Sequence, residues 1–572
     1  MNEKFASQFI ERAYESSTLA VDTEATLDDL RDGRGFALGL SLAFDYQGSG
    51  AVFSNYFPFR HSSSNLDQSV LSQLNKLIQE HPRIVFHNAK FDIVSLATLG
   101  ITVLDNWYDT MLMAHMVNEN WQQKSLDYLS KTLLGLDGKN RTEFFNAHVA
   151  AYGWAETPAE LMYEYAANDT ELTLPLFEYL FPMFIKQGFD DLWPTERAFM
   201  RVLIEMESRG VRLNSKLCQR ELGIGELRMG EILDELGYDK LGPIALTDLF
   251  FNRLHLTKVS DTPGGKPSFN KMTMSRYEEM LALSKNPVAS MVLEYRGWQK
   301  TVTSNYRPYL ELVSPDGRLR PNYKQHGTVT GRLSCEKPNL QQIPRSSSKP
   351  WNGSLKQAFI PAEGYELWEA DYSQLEFRIT AATSKEDQLV AAFSDPERDV
   401  FSEMADELGM ERHDVKTLTY TIEFGGGARR ISEVFGVTHM RAKWIKENFF
   451  NTYPDIERVI LIAYRYAKRN GYIPMWTGRR RHFLNAGDHH KAFNAYIQGG
   501  AFEIVKRQMI KCYEEVDNPA ECRMLLQVHD SILWEIRSDL VDHYLPLIKK
   551  TMEDVKSPFD IPFRVEIKQW GH

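Results

Sequence analysis

Trp368-Glu-Ala-Asp371-Tyr-Ser-Gln-Leu-Glu376-Phe-Arg378 ends an apolar strand on a carboxylate and carries a second acid five residues later. Near the other end of the chain, Met524-Leu-Leu-Gln-Val528 and Ile532-Leu-Trp-Glu-Ile536 form two strand-like runs, and His529-Asp530 fills the tight reversal between them. A hairpin apex can set Asp530 beside Asp371 across a sheet, despite their distance in sequence. Two acids so placed suit the pair of divalent ions used in nucleotidyl transfer, where one lowers the pKa of an attacking 3′-hydroxyl and the other bridges the nucleotide's phosphates.

A third stretch points the same way. In Arg412-His-Asp-Val-Lys416-Thr-Leu-Thr-Tyr420-Thr-Ile-Glu-Phe424, the cations Arg412 and Lys416 and the rings Tyr420 and Phe424 recur every four residues. On a helix each step drifts by only about 40°, so the four form one slowly spiralling stripe. Cations can meet phosphates and a ring can meet sugar and base, which suits a nucleoside triphosphate. The plain alternative for this stretch alone is a helix with a mixed-charge face.

A separate acidic set lies near the N-terminus. Val21-Asp22-Thr23-Glu24-Ala25 ends a strand, and residues i and i+2 of a strand share a face, so both acids can point at one ion. Asn88-Ala-Lys-Phe-Asp92 adds a third acid, and Tyr165-Ala-Ala-Asn-Asp169 a fourth, with Tyr165 one helical turn from Asp169. Four converging carboxylates repel unless cations neutralise them. Hard oxygen donors select magnesium or manganese over zinc. Two such ions can activate a water for phosphodiester hydrolysis, with Tyr165 orienting that water. The Asp-x-Glu pair taken alone is better explained as surface acids and caps; the ordered set of four segments is not.

Composition bounds these ideas. The 572 residues exceed one ordinary domain, and three to five units are expected. No stretch approaches the roughly 20 apolar residues that span a bilayer, and the N-terminus lacks the apolar core of a signal peptide. Cys218, Cys335, Cys512 and Cys522 have no pair spacing, which argues against a disulfide framework or zinc site and for a reducing cytoplasm. A formal charge of −11 does not advertise nucleic-acid binding, yet local field matters more than the sum. Three basic clusters, Arg429-Arg430, Arg479-Arg480-Arg481-His482 and Lys506-Arg507, are candidates for phosphate, although each alone is more often a solvated face.

Extended runs at 18–22, 36–44, 50–54 and 83–86, followed by helical periodicity to about 185, predict an α/β unit at the N-terminus. Long helices are expected over about 188–310 and 385–475. Ser260–Ser268 and Ser346–Pro350 read as exposed loops.

The first acidic set resembles the proofreading 3′–5′ exonuclease domain of the four-carboxylate, tyrosine-containing class, which has a ribonuclease H-like fold. The later segments resemble family A DNA polymerases, the class of bacterial DNA polymerase I and several phage replicative enzymes. Thr328-Val-Thr-Gly-Arg332-Leu-Ser and Pro338-Asn339-Leu-Gln341-Gln-Ile-Pro look like that family's primer-template segment, and Asn494-Ala-Tyr-Ile-Gln498-Gly-Gly its minor-groove helix. Gln527 and His529 precede Asp530 as in the family, and the terminal His572 matches its usual last residue.

The resemblance implies a multidomain α/β protein: a ribonuclease H-like exonuclease domain (1–187), thumb (188–318), first palm part (319–384), fingers (385–475) and second palm part (476–572). It implies Asp22, Glu24, Asp92 and Asp169 as ligands of one metal pair and Asp371 and Asp530 of another. Arg412 and Lys416 would bind the incoming phosphates, Lys416 also serving as general acid for pyrophosphate. Tyr420 and Phe424 would meet sugar and base, and Glu376 would block a ribose 2′-hydroxyl. Thr328, Arg332, Asn339, Gln341, Asn494, Gln498, Gln527 and His529 would line the primer-template or primer end, where minor-groove acceptors check pair geometry without reading sequence. Primer-template, deoxynucleoside triphosphates and an unpaired DNA 3′ end are the implied partners, with replisome proteins beyond them.

The sequence departs from the pattern at several points. Ser531 stands where the family usually has Glu, which puts a third acidic contribution to the metal site in doubt. Phe424 replaces a usual Tyr, keeping the ring and losing the hydroxyl. His490-Lys491 lies where an Arg is common, and Phe401 where His is frequent. Acidic chemistry begins by residue 22, and the helical region at 188–310 is short, so a lean, phage-like replicative enzyme without a 5′-nuclease domain or large processivity insertion is expected.

A single-subunit RNA polymerase shares the Asp371, Lys416 and Asp530 arrangement, but the exonuclease segments and Glu376 weigh against it. A non-catalytic primer-template clamp would not need all six acids. Tyr420 stands where many relatives have Phe, and its hydroxyl can replace a chain terminator's missing 3′-hydroxyl. The wild type should therefore accept dideoxynucleotides readily and Tyr420→Phe should discriminate against them; equal incorporation ratios for the two proteins reject this.

Overall fold

The computed structural model describes residues 2–26, 29–137, 143–262, 264–344, 349–352 and 354–571. Most of the expected loop at 346–350, Pro263 of the 260–268 loop and the terminal His572 lie outside them.

The N-terminal unit is built on a five-stranded sheet in the order β3-β2-β1-β4-β5, from β1 (Leu19–Ala25), β2 (Ala37–Asp45), β3 (Val52–Pro58), β4 (Ile84–Phe86) and β5 (Trp107–Asp109). Strands β1, β2 and β3 pair antiparallel, whereas β4 joins β1, and β5 joins β4, in parallel. Strands β1 and β2 are buried along nearly their whole length, and a six-residue connection joins β2 to β3. The helices α1 (Ala89–Thr98), α2 (Thr110–Val117) and α3 (Ala159–Lys186) return the chain over this sheet. Strand β5 falls inside the stretch read as helical. Three residues are too few for a period of two to register, and only burial of Trp107 against Phe86 and Trp193 marks it.

Further on, α4 (Trp193–Arg209) leads into a helical region with its own small apolar core, around Ile232, Phe250, Tyr277 and Tyr295. A four-stranded antiparallel sheet then carries the later acids. Its order is β7-β8-β6-β9, from β6 (Tyr365–Tyr372), β7 (Cys522–Val528), β8 (Ser531–Arg537) and β9 (Val565–Gln569). Behind β6 the chain enters α5 (Leu375–Ser384), and between β6 and β7 it passes through α6 (Arg412–Glu423) and α7 (Ala492–Glu515). Residues 387–470 fold into a series of helices separated by short breaks, in keeping with the periodicity.

Two of the three basic clusters prove to be ties inside the fold. Arg479 and Lys506 are buried, and so are Glu196 on α4 and Glu503 on α7. Lys506 Nζ lies 2.5 Å from Glu196 and 3.0 Å from Glu503, while Arg479 bonds Glu196 and meets Glu503 at 2.8 Å. Arg481 and His482 reach across to Glu119, at 2.7 and 2.9 Å, joining the segment after α2 to the hairpin after residue 470. The expectation that these cations meet phosphate is therefore corrected for Arg479, Lys506, Arg481 and His482: acids distant in sequence neutralise them, and burial shuts Arg479 and Lys506 off from solvent.

Breaking such a knot is costly because it strands a charge. Glu196→Ala leaves two buried cations sharing Glu503 and should destabilise the protein by about 3–5 kcal/mol, seen as a lowered unfolding temperature. Burial raises the pKa of Glu503, but Lys506 and Arg479 outweigh it and hold the carboxyl well below its usual range. Its contribution is thus complete above the free carboxyl's pKa of about 4.3 and fades as pH falls below it. The unfolding temperature should drop on acidification, and drop less steeply in Glu503→Gln.

Candidate active sites

In the N-terminal unit, β1 presents Asp22 and Glu24 on one face, and α3 carries Asp169 over it. Ligand oxygens of these three acids lie within 4.8 Å of one another. Such a set of hard donors fits a divalent cation. Asp92, the fourth expected ligand, is not in that group: its carboxylate accepts hydrogen bonds from the Thr23 amide (2.9 Å) and hydroxyl (2.8 Å). Burial pushes its pKa well up against those two bonds, and the charges of Asp109 and Glu24 add to the rise. Tyr165 is buried one turn before Asp169, stacked on Phe145 with ring centroids 4.9 Å apart.

These residues line a cleft of about 750 Å³ that also takes in Lys90, Phe91, Trp154 and, from beyond α3, Asn322 and Lys337. Aromatic and acidic walls together suit an unpaired nucleic-acid end. Lys90 was not singled out by sequence. Its ammonium bonds Glu207 (2.6 Å), Asn322 (2.7 Å) and the Tyr323 carbonyl (2.5 Å), pinning α1 to the following region.

In the second sheet, β6 runs against β8 in the register Asp371↔Ser531, so Asp371 sits level with the hairpin that carries Asp530. The Tyr372 amide donates to the Asp530 carbonyl at 3.3 Å, tying strand end to hairpin. His529 supports the reversal with φ of +57°. On the other side Asp371 pairs in register with Glu566 of β9. Ser531 donates to Glu369 Oε1 at 3.2 Å, so the position that lacks the usual Glu contacts an acid two residues before Asp371.

Arg332 joins this site by tertiary contact. It bonds Glu376 and lies 3.9 Å from Asp530. Burial raises the pKa of Asp530, and Arg332 and His529 oppose that rise. Gly331 before it has φ of +80°, and a Cβ there would meet Arg479 at 2.8 Å, so the turn presenting Arg332 requires glycine.

The stripe on α6 forms as expected, with a difference at its first member. Arg412 is bound to Asp399 at 2.7 Å. Lys416 lies 5.7 Å from the Phe401 ring, and the Tyr420 ring lies 6.2 Å from both Phe401 and Phe424. Phe424 is 46% exposed at the helix end, open to a stacking partner.

The remaining expected residues fall into two groups. Thr328 donates to the Arg332 carbonyl at 2.7 Å, Asn339 caps the short turn after it, and Gln341 donates to Gln527 at 2.6 Å. Gln527 in turn donates to the His529 carbonyl, so a polar chain runs from Gln341 to the hairpin of Asp530. Asn494 and Gln498 are half-buried one turn apart on α7.

Comparison with known proteins agrees with this geometry. A family model described as DNA polymerase family A matches residues 236–572, and one described as 3′–5′ exonuclease matches residues 1–185. The chain belongs to DNA polymerase family A. DNA polymerase I of Pseudomonas aeruginosa is 28% identical over 602 residues, covering 98% of this chain and 63% of that protein. The thermostable DNA polymerase I of Thermus filiformis is 30% identical over 429 residues, covering 71% of this chain and 50% of that protein. The chain thus spans between half and two-thirds of the length of these two relatives. The solved POL domain of Pol1 from M. smegmatis, in complex with DNA primer-template and dNTP, shares the fold with a TM-score of 0.83 at 22% identity, over 100% of this chain and 98% of that one. Among the described residues no helix is long and apolar enough to cross a membrane.

Proposed function

We propose that the chain is a template-directed DNA polymerase that adds deoxynucleotides to a primer 3′ end and trims mispaired ends with its 3′–5′ exonuclease unit. The observation that carries this is the register of β6 against β8, which sets Asp371 beside the hairpin of Asp530. The exonuclease half rests on the three-acid group of Asp22, Glu24 and Asp169. The proposed units are those read from sequence: exonuclease over 1–187, thumb over 188–318, fingers over 385–475, and a palm from 319–384 and 476–572.

Magnesium, with manganese as substitute, supplies charge neutralisation and activation of an oxygen nucleophile when bound at each acid set. Asp371 and Asp530 would hold the pair used for extension. Asp22, Glu24, Asp169 and Asp92 would hold the pair used for trimming, Asp92 through the oxygen that does not accept from Thr23. Tyr165 would position the attacking water.

Lys416 would bind the triphosphate and give a proton to the leaving pyrophosphate. Arg412 would exchange Asp399 for a phosphate, a swap of one anion for another. Phe424 would stack on the base, Tyr420 would meet the sugar, and Glu376 would exclude a 2′-hydroxyl. Arg332, Gln341, Gln498, Gln527 and His529 would follow the primer end, with Thr328, Asn339 and Asn494 holding them in place. The relatives named above are bacterial, so the expectation of a phage replication role rests on the sequence alone.

Primer extension and digestion, assayed separately with dNTPs, with NTPs and with neither, test the proposal and its RNA polymerase rival. Asp371→Ala should abolish extension and spare digestion. The double change Asp22→Ala, Glu24→Ala should do the reverse. Extension that persists in Asp371→Ala refutes the assignment. Manganese titration of the metal-stripped protein should show tight sites that weaken by roughly tenfold or more in Asp169→Asn, and unchanged binding would rule out the three-acid site.

A further inference from the structure

Glu423 ends α6, directly before Phe424, and is 3% exposed. Among the described residues neither of its carboxyl oxygens has a hydrogen-bond partner. Thr380 on α5 lies beside it, yet the Thr380 hydroxyl is likewise buried without a partner. Thr380 stands one helical turn after Glu376, so Glu423, Thr380 and Glu376 meet where the last turn of α6 faces α5. Burial raises the Glu423 carboxyl to about 8; the nearby Thr380 hydroxyl opposes that rise, and the Glu376 charge adds to it. Glu423 is therefore a neutral acid near pH 7, with a proton to donate.

A buried acid that satisfies no bond weakens a fold, and a leucine of similar size would not. Local rules broken without structural gain are expected at functional positions. The neighbour that has a use for this proton is Glu376. Here Glu376 is paired with Arg332. Arg332 is also the residue assigned above to the primer end, and a guanidinium drawn to DNA no longer serves Glu376. Two buried carboxyls left facing each other favour sharing one proton over ionising both.

We propose that Glu423 is a sugar-specificity determinant: it stands behind Glu376 and becomes its hydrogen-bond donor when primer-template draws Arg332 away. This rests on Glu376 as the group that excludes a 2′-hydroxyl. Glu423 touches no substrate; it positions Glu376, and through its place on α6 it couples the sugar gate to the nucleotide-binding stripe.

The test compares wild type, Glu423→Gln, Glu423→Leu and Glu423→Met in single-nucleotide insertion of dCTP against CTP on one primer-template, alongside thermal unfolding of each. Glutamine keeps a donor and should hold the ratio of kcat/KM values within about twofold of wild type. Leucine and methionine remove it and should lower discrimination on the order of tenfold, while their unfolding temperatures equal or exceed that of wild type. A leucine or methionine variant that discriminates as wild type does, or a glutamine variant that fails as badly as they do, overturns the inference. Wild-type protein that prefers neither sugar would instead overturn the role of Glu376 on which the inference rests.

Discussion

Everything at the pair of Asp371 and Asp530 depends on one alignment, the antiparallel register of β6 against β8. Side chains alternate along a strand, so a slip of one residue would turn Asp371 to the opposite face and leave Asp530 without its companion. The register is held along the whole strand, from Tyr365 opposite Arg537 to Asp371 opposite Ser531. The apolar residues of β6, β7 and β8 that make a slip costly, Leu367, Ala370, Leu526, Ile532 and Trp534 among them, are all buried. A hydrophobic pattern thus sets Asp371 level with the hairpin that carries Asp530.

The two acid sets illustrate different ways of tolerating that repulsion. At the N-terminal site three acids stand within reach of one cation, and a fourth, Asp92, lines the same cleft while one of its oxygens accepts from the Thr23 amide and hydroxyl. At the second site Arg332 offsets charge directly, bonded to Glu376 and close to Asp530. An organic cation therefore sits where the proposed function places inorganic ones, and in that reading primer-template and metal would redistribute it. Arg412 and Asp399 repeat the arrangement on the nucleotide side. In the proposed reading, binding would exchange these internal ion pairs for external ones, and such an exchange lowers the net cost of desolvating the protein's charges.

A different use of charge joins the units. Glu196, Arg479, Glu503 and Lys506 are removed from water as a complete set, so each cation has acids from other elements. Lys90 with Glu207 ties the N-terminal unit to α4, and Glu119 with Arg481 and His482 ties it to the hairpin after residue 470. The N-terminal cleft is itself lined from both sides, with Glu207, Arg320, Asn322 and Lys337 facing the residues of the N-terminal unit.

Much of this was legible in the linear chain, because strands, helix stripes and tight reversals have short periods. Asp22 and Glu24 share a face by strand geometry, Tyr165 and Asp169 by helix geometry, and Arg412, Lys416, Tyr420 and Phe424 by one stripe. What the chain alone could not settle concerns contacts between segments hundreds of residues apart. Nothing local distinguishes Arg479 or Lys506 from a phosphate-binding cation; only their burial against Glu196 and Glu503 does. Glu423 looks like one more polar helix residue until α6 closes on α5 and strips it of water. Periodicity reports what neighbours in sequence share, whereas desolvation and partner choice depend on what arrives from elsewhere in the chain, and those are properties of the packed molecule.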